Sequence, residues 1–157
     1  MNTKPALLAA ALTLAGASAC SSTSESAEHR PPTTTTPKSV VVYRTPTCGC
    51  CKSYEDYLRR HGYTIESKEL DNLEPIRTAQ GIPDNAASCH TVVVDDYAVE
   101  GHVPVEAIAK LLTEKPDADG IARPGMPANS PGMGEPNGVP LQIVLVNDGR
   151  TEPFVAI

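Results

Sequence analysis

Three cysteines fall within four residues, in the run Cys48-Gly49-Cys50-Cys51. Cys48 and Cys51 have the C-x-x-C spacing of thioredoxin-type redox pairs. Cys50 is surplus to such a pair, and a disulfide between the neighbours Cys50 and Cys51 would be strained. Three thiolates from one turn suit a soft ion, Cu(I) ahead of zinc. Structural zinc sites usually draw paired cysteines from two knuckles instead. The cluster lies between a β-rich run and an amphipathic stretch, at an expected strand-to-helix junction. Free N–H groups and the positive end of the helix dipole favour thiolates there.

A second group of candidates follows. Cys89-His90 adds a fourth thiol and an imidazole just before another β-rich run. His102 sits at an expected corner between a hairpin and a helix, as a ligand or a partner to one. Met126 and Met133 lie in related surroundings, PGMP and SPGM, in a polar Gly/Pro loop. Their thioethers are soft donors that need no deprotonation, and the loop could close the cysteine site. His61 ends a helical pattern and reads as a C-terminal cap. His29 reads as incidental.

The elements that must position these residues follow from the hydrophobic pattern. Ser39 to Arg44 is a strand. Tyr54, Tyr57, Leu58 and His61 recur at helical spacing, and Gly62 stops that helix. Tyr63 to Leu70 alternates as a strand, and Leu73 to Gln80 is a short helix. Thr91 to Asp95 and Tyr97 to Gly101 form a hairpin around Asp95-Asp96. Pro104 opens a third helix, with Val105, Ile108, Leu111 and Leu112 on one face. The order β-α-β-α-β-β-α predicts an α/β fold with a thioredoxin-like core. In that topology the Cys89 loop faces the first cysteine turn. Ser88-Cys89-His90-Thr91 replaces the cis-proline usual in thioredoxins, which counts against ordinary dithiol exchange. Lys115 to Pro140 reads as a long Gly/Pro loop, functional or disordered. Leu141 to Val146 and Glu152 to Ile157 then form a second hairpin around Asp148-Gly149, which could extend the sheet edge or cover the loop.

Residues 39–157 are thus expected to form one metal-binding domain. Residues 1–19 read as a secretory signal, with Lys4 in the n-region and an apolar stretch too short to span a bilayer. Ala17-x-Ala19 fits ordinary cleavage. Small residues before Cys20 also resemble a lipobox, with Cys20 lipidated, and this second reading is preferred. Residues 20–38 form a Ser/Thr/Pro-rich tether that cannot bury a core. Export, to the periplasm or cell envelope, follows from either reading, with membrane contact only through a lipid on Cys20. Net charge is −6, no basic patch interleaves with aromatics, and nucleic-acid binding is excluded.

Four stretches together resemble the CopG-like family, also known as domain of unknown function 411. They are Tyr43 to Tyr54 (YRTPTCGCCKSY), Ser88 to Thr91 (SCHT), Glu100 to Pro104 (EGHVP) and Pro124 to Met133 (PGMPANSPGM). The resemblance implies a thioredoxin-like fold, an exported location, and copper binding or copper resistance. It also implies an oxidoreductase role that cycles copper between Cu(I) and Cu(II). Cys48, Cys50, Cys51 and Cys89 are the thiolate ligands it implies, with His90, His102, Met126 and Met133 beside them. Copper ions and other copper-handling proteins are the partners it implies. Three further readings remain open. One is a thiol–disulfide oxidoreductase using Cys48 and Cys51. Another is an arsenate-reductase-like protein, suggested by Tyr43, Pro46 and Cys48-Gly49 but opposed by export. The last is a zinc-binding structural module.

Overall fold

The computed structural model describes residues 38–157. The signal, the tether, Cys20 and His29 lie outside the described residues. Ten elements follow in order: β1 (Lys38–Arg44), α1 (Gly49–Arg60), β2 (Tyr63–Glu69), α2 (Glu74–Ala79), β3 (His90–Val94), β4 (Tyr97–Glu100), α3 (Val105–Glu114), β5 (Gly120–Ala122), β6 (Gln142–Asn147) and β7 (Arg150–Ala156). The β-α-β-α-β-β-α order expected for the core is the order observed through Glu114. Among the described residues, no helix is long and apolar enough to cross a membrane.

All seven strands join one mixed sheet, ordered β2-β1-β3-β4-β5-β6-β7. The pairs β1–β2 and β4–β5 are parallel, and the other pairs are antiparallel. Alternation along the strands divides the core between the two faces. Val99, Ile121 and Leu145 face a cluster that contains Tyr54 and Leu58 of α1 and Ile108 and Leu111 of α3. Their neighbours Ala98, Ala122 and Val146 pack instead with Ile82 and Ala86. Two helices therefore cover one face, and the segment after α2 covers the other. Each fully buried Leu or Ile on the helical face contributes about 1.5–3 kcal/mol.

One expectation needs correcting. The Gly/Pro segment after α3 contains a strand, β5, hydrogen-bonded on both sides. Three residues, Gly-Ile-Ala, are too few for alternation to show in the sequence. The pairing itself demands Gly120, because a Cβ there would lie 1.9 Å from the Ala98 carbonyl oxygen. Through β5 the C-terminal hairpin extends the sheet rather than covering the loop. Its turn has positive φ at Asp148 (49°) and Gly149 (69°), as the Asp-Gly signal predicts. Smaller shifts also occur: β1 begins at Lys38, and Pro104 is the N-cap of α3 rather than its first residue.

Candidate metal centre

The β1–α1 junction places the first sulfurs. Thr45 to Thr47 leave the end of β1, and Cys48 becomes the N-cap of α1. Its sulfur accepts the Cys51 backbone N–H at 3.3 Å. Cys51 is buried, and Cys48 and Cys50 are partly exposed. Cys48 and Cys51 are joined as a disulfide, with Cα atoms 5.3 Å apart, while Cys50 and Cys89 are free thiols. The C-x-x-C pair is thus in its oxidised form. Four available thiolates require that bond to be reduced.

The loop before β3 supplies the opposite side. The Cys89 sulfur lies 3.9 Å from that of Cys50, and the Cys50 sulfur lies 3.5 Å from that of Cys48. Donor atoms of Cys48, Cys50, Cys51 and Cys89 all fall within 4.8 Å of one another. A second group, Cys89, His90 and His102, meets the same limit. Cys89 belongs to both.

The imidazoles are buried and neutral. Burial, reinforced by His102, pulls His90 down to about 3. Burial also lowers His102. His102 Nδ1 lies 2.7 Å from the Pro131 carbonyl oxygen, which can only accept, so the ring proton sits on Nδ1. Its Nε2 lone pair then faces the Cys89 sulfur at 3.2 Å. His90 Nδ1 lies 3.3 Å from that sulfur, and its Nε2 is buried without a partner. Burial first, and then Cys50, pushes the Cys89 thiol up to about 12. Sulfur and neutral nitrogen donors, with no carboxylate in either group, fit a soft or borderline ion such as copper or zinc.

Three residues that the sequence reading did not assign to the site hold this arrangement. Glu100, fully buried at the end of β4, accepts from Ser88 N at 2.6 Å, Thr91 Oγ1 at 2.6 Å and Arg77 Nε at 3.1 Å. Arg77 also donates to the Ser88 carbonyl. This clamp grips both sides of Cys89. Tyr54 fills the floor, its hydroxyl donating to Val103 O at 2.6 Å and its ring facing both histidines. Gly101 then turns the chain into His102 with φ +77°.

The methionine loop meets the site at Pro131, whose carbonyl oxygen accepts from His102 Nδ1. Gly132 packs so closely on α1 that a Cβ would lie 2.8 Å from Tyr54 N. That contact seats Pro131 against His102. Met133 follows, partly buried, whereas Met126 is 57% exposed. His61 caps α1 as expected, its Nδ1 2.8 Å from Tyr57 O.

Comparison with known proteins fits this geometry. Residues 86–133 match the family model described as "Protein of unknown function, DUF411". Two solved structures, titled "Copper resistance protein copG", Form 1 and Form 2, each align with 34% identity and a TM-score of 0.68. Each alignment covers 77% of this chain and 98% of the other. The chain belongs to the CopG-like, DUF411 family. No curated protein matches it. The span matched by the CopG-like family model includes Cys89, His90, His102, Met126 and Met133. Cys48, Cys50 and Cys51 fall outside it, within the broader structural likeness. A metal-capable cysteine cluster in a family with copper-resistance members fits copper handling.

Proposed function

We propose that this is an exported copper-binding protein that holds Cu(I), as cargo, in copper homeostasis or resistance. The observation that carries the reading is the convergence of four cysteine donors within 4.8 Å, drawn from the start of α1 and the facing loop. Cys48, Cys50, Cys51 and Cys89 are the thiolate donors in this reading. His90 and His102 add neutral nitrogens beside Cys89. Several closely spaced ions could share bridging sulfurs, and bound copper brings one-electron redox chemistry. The chain's own contribution is to fix the donors. Glu100 and Arg77 hold the Cys89 loop, Pro131 sets the His102 tautomer, and Tyr54 excludes water beneath both rings. Export rests on the N-terminal signal reading, with Cys20 as the candidate lipid anchor. Met133 and Met126 are candidate loop donors.

Cu(I) titration tests this against the reduced protein, the oxidised protein and the Cys48→Ser, Cys50→Ser, Cys51→Ser triple variant. Tight binding is expected only for the reduced wild type. Equal binding by the triple variant refutes the assignment. Metal analysis of protein purified without added metal separates copper from zinc.

The Cys48–Cys51 disulfide favours a second reading, an extracytoplasmic thiol–disulfide oxidoreductase. Catalysis of insulin reduction by the metal-free protein would support it, and absence of turnover would remove it.

A further inference from the structure

Aromatic rings form an unbroken line from the buried histidines to the surface. The His90 and His102 ring centroids are 4.8 Å apart. Both rings face Tyr54, at 4.6 and 5.3 Å. Tyr54 stacks on Tyr57 at 5.7 Å with 25° between the planes, and Tyr57 meets His61 at 4.3 Å. His90, His102 and Tyr54 are fully buried, Tyr57 is partly buried and His61 is exposed. Tyr54 and Tyr57 of α1 and its C-cap His61 lie along one side of the helix. The helix that begins at the sulfur cluster therefore carries a row of rings away from it.

Packing alone is a weak account of this row. The chain has five tyrosines, one phenylalanine and no tryptophan. Yet the five close ring pairs among the described residues all belong to this line. Core packing explains Tyr54. It does not require rings to continue through Tyr57 to an exposed His61, where a lysine or arginine would cap the helix as well. Tyr57 and His61 also border an open surface cavity of about 470 Å³, so a molecule in solution can approach their edges.

We propose that Tyr54, Tyr57 and His61 form an electron route between copper held at His90 and His102 and an outer-sphere one-electron acceptor at the His61 surface. This rests on the copper-binding reading above. One electron leaves bound Cu(I), which becomes Cu(II), and the acceptor is reduced by one electron. No bond is made or broken and no proton moves. The hydroxyl environments agree with that balance. Tyr54 Oη donates to a backbone carbonyl, and Tyr57 Oη accepts from Val105 N at 2.9 Å. Both hydroxyls hydrogen-bond to backbone groups and neither to a carboxylate or imidazole, so the rings act as a bridge without a standing tyrosyl radical.

The test uses the full Cu(I)-loaded chain in a His29→Ala background, with a ruthenium bis(bipyridine) complex attached to His61 and an oxidative quencher in solution. Tyr57 O engages Nδ1, which leaves Nε2 for the label. Flash oxidation of the ruthenium starts the reaction, and transient absorption follows its re-reduction. First-order, concentration-independent re-reduction is expected, with a Cu(II) paramagnetic resonance signal of matching yield. Tyr57→Leu and Tyr57→Met, which remove the ring, should lose most of that rate. Tyr57→Phe, which keeps the ring and drops the hydroxyl, should retain it. Chelator competition beforehand measures bound Cu(I). Absence of bound copper overturns the copper reading and the route with it. Bound copper with the same rate in Tyr57→Leu or Tyr57→Met, or with equal losses in Tyr57→Phe, overturns the route alone.

Discussion

Glu100 offers the sharpest separation of structure from function at this site. Its carboxylate accepts from Ser88 N, Thr91 Oγ1 and Arg77 Nε, and its side chain is fully buried. Glu100→Ala strands the arginine and leaves two more donors unpaired. Removing one member of a buried ion pair costs about 3–5 kcal/mol. That is a large share of the about 5–15 kcal/mol typical of a folded domain. Glu100→Gln keeps an acceptor for Ser88 and Arg77 and can donate to a rotated Thr91 hydroxyl. It loses the charge that pairs Arg77, which weakens each of the three bonds by about 1 kcal/mol. Denaturant unfolding of the metal-free protein reads these losses. Both changes also loosen the loop that aims Cys89 at both donor groups. Loss of an outer partner to a metal ligand typically lowers affinity about 10–100-fold. Chelator competition on the reduced protein should show Glu100→Gln binding Cu(I) within or near that range, although its fold survives. Unchanged stability in Glu100→Ala refutes the clamp. Destabilisation with unchanged Cu(I) affinity in Glu100→Gln shows that it holds the fold and not the site.

Acid should destabilise the metal-free protein through His90. Its native value of about 3 lies well below the unfolded value of about 6.5, so only the unfolded state gains a proton as pH falls between them. The loss reaches about 3 kcal/mol near pH 4, and His90→Phe should flatten the slope of unfolding free energy against pH. His102, also lowered, adds loss of the same sign that the variant retains. Glu55 acts at lower pH. Burial raises its carboxyl, but hydrogen bonds from Ser67, Arg44 and Arg59 outweigh that and lower it. Its stabilisation is present above the unfolded value of about 4.3 and disappears as pH falls through the native one. Gly101→Ala should destabilise more than Gly125→Ala in denaturant unfolding, and equal losses would refute the reasoning. Both glycines have φ above +70°, but only at Gly101 would a Cβ collide, 2.7 Å from Ser88 Oγ and 2.9 Å from Arg123 O. Each strained substitution costs more than about 1 kcal/mol.

The sequence made local elements legible where periodicity ran long enough. The helix through Tyr54 and Leu58, the Asp95-Asp96 hairpin and the Asp148-Gly149 hairpin all stand as read. Strand β5 was hidden because three residues carry no period, and its pairing is decided by Ala98 and Val144 across the sheet. At the site, residue type alone marked the cysteines and histidines. The clamp was not legible, because Arg77 lies 23 positions from Glu100 and a charged residue on a short helix ordinarily reads as solvated. A signal did exist in Glu100 itself, a carboxylate directly before a Gly-His turn on a strand whose neighbours are apolar. The Cys48–Cys51 bond matches the C-x-x-C spacing, yet spacing could not rank disulfide against metal. Both use the same sulfurs, and the choice depends on reductant and metal supply.

The cap of α1 indicates what must drive ionisation at this centre. Ser, Thr, Asp or Asn at an N-cap is worth about 0.5–2 kcal/mol over alanine, and here a cysteine sulfur takes that place. No acidic residue occupies the first turn, while Arg59 and Arg60 occupy the last. The positive end of the dipole is therefore left to the sulfurs. Its contribution, about 0.3–1 kcal/mol, is under one pKa unit. Cys89 faces that end from the opposite loop, and burial with Cys50 has raised it from 9.0 to about 12. That rise corresponds to about 4 kcal/mol, several times what the dipole can offset. Cys89 therefore holds its proton more tightly than an ordinary thiol. A bound metal must displace that proton, so uptake releases protons and strengthens as pH rises.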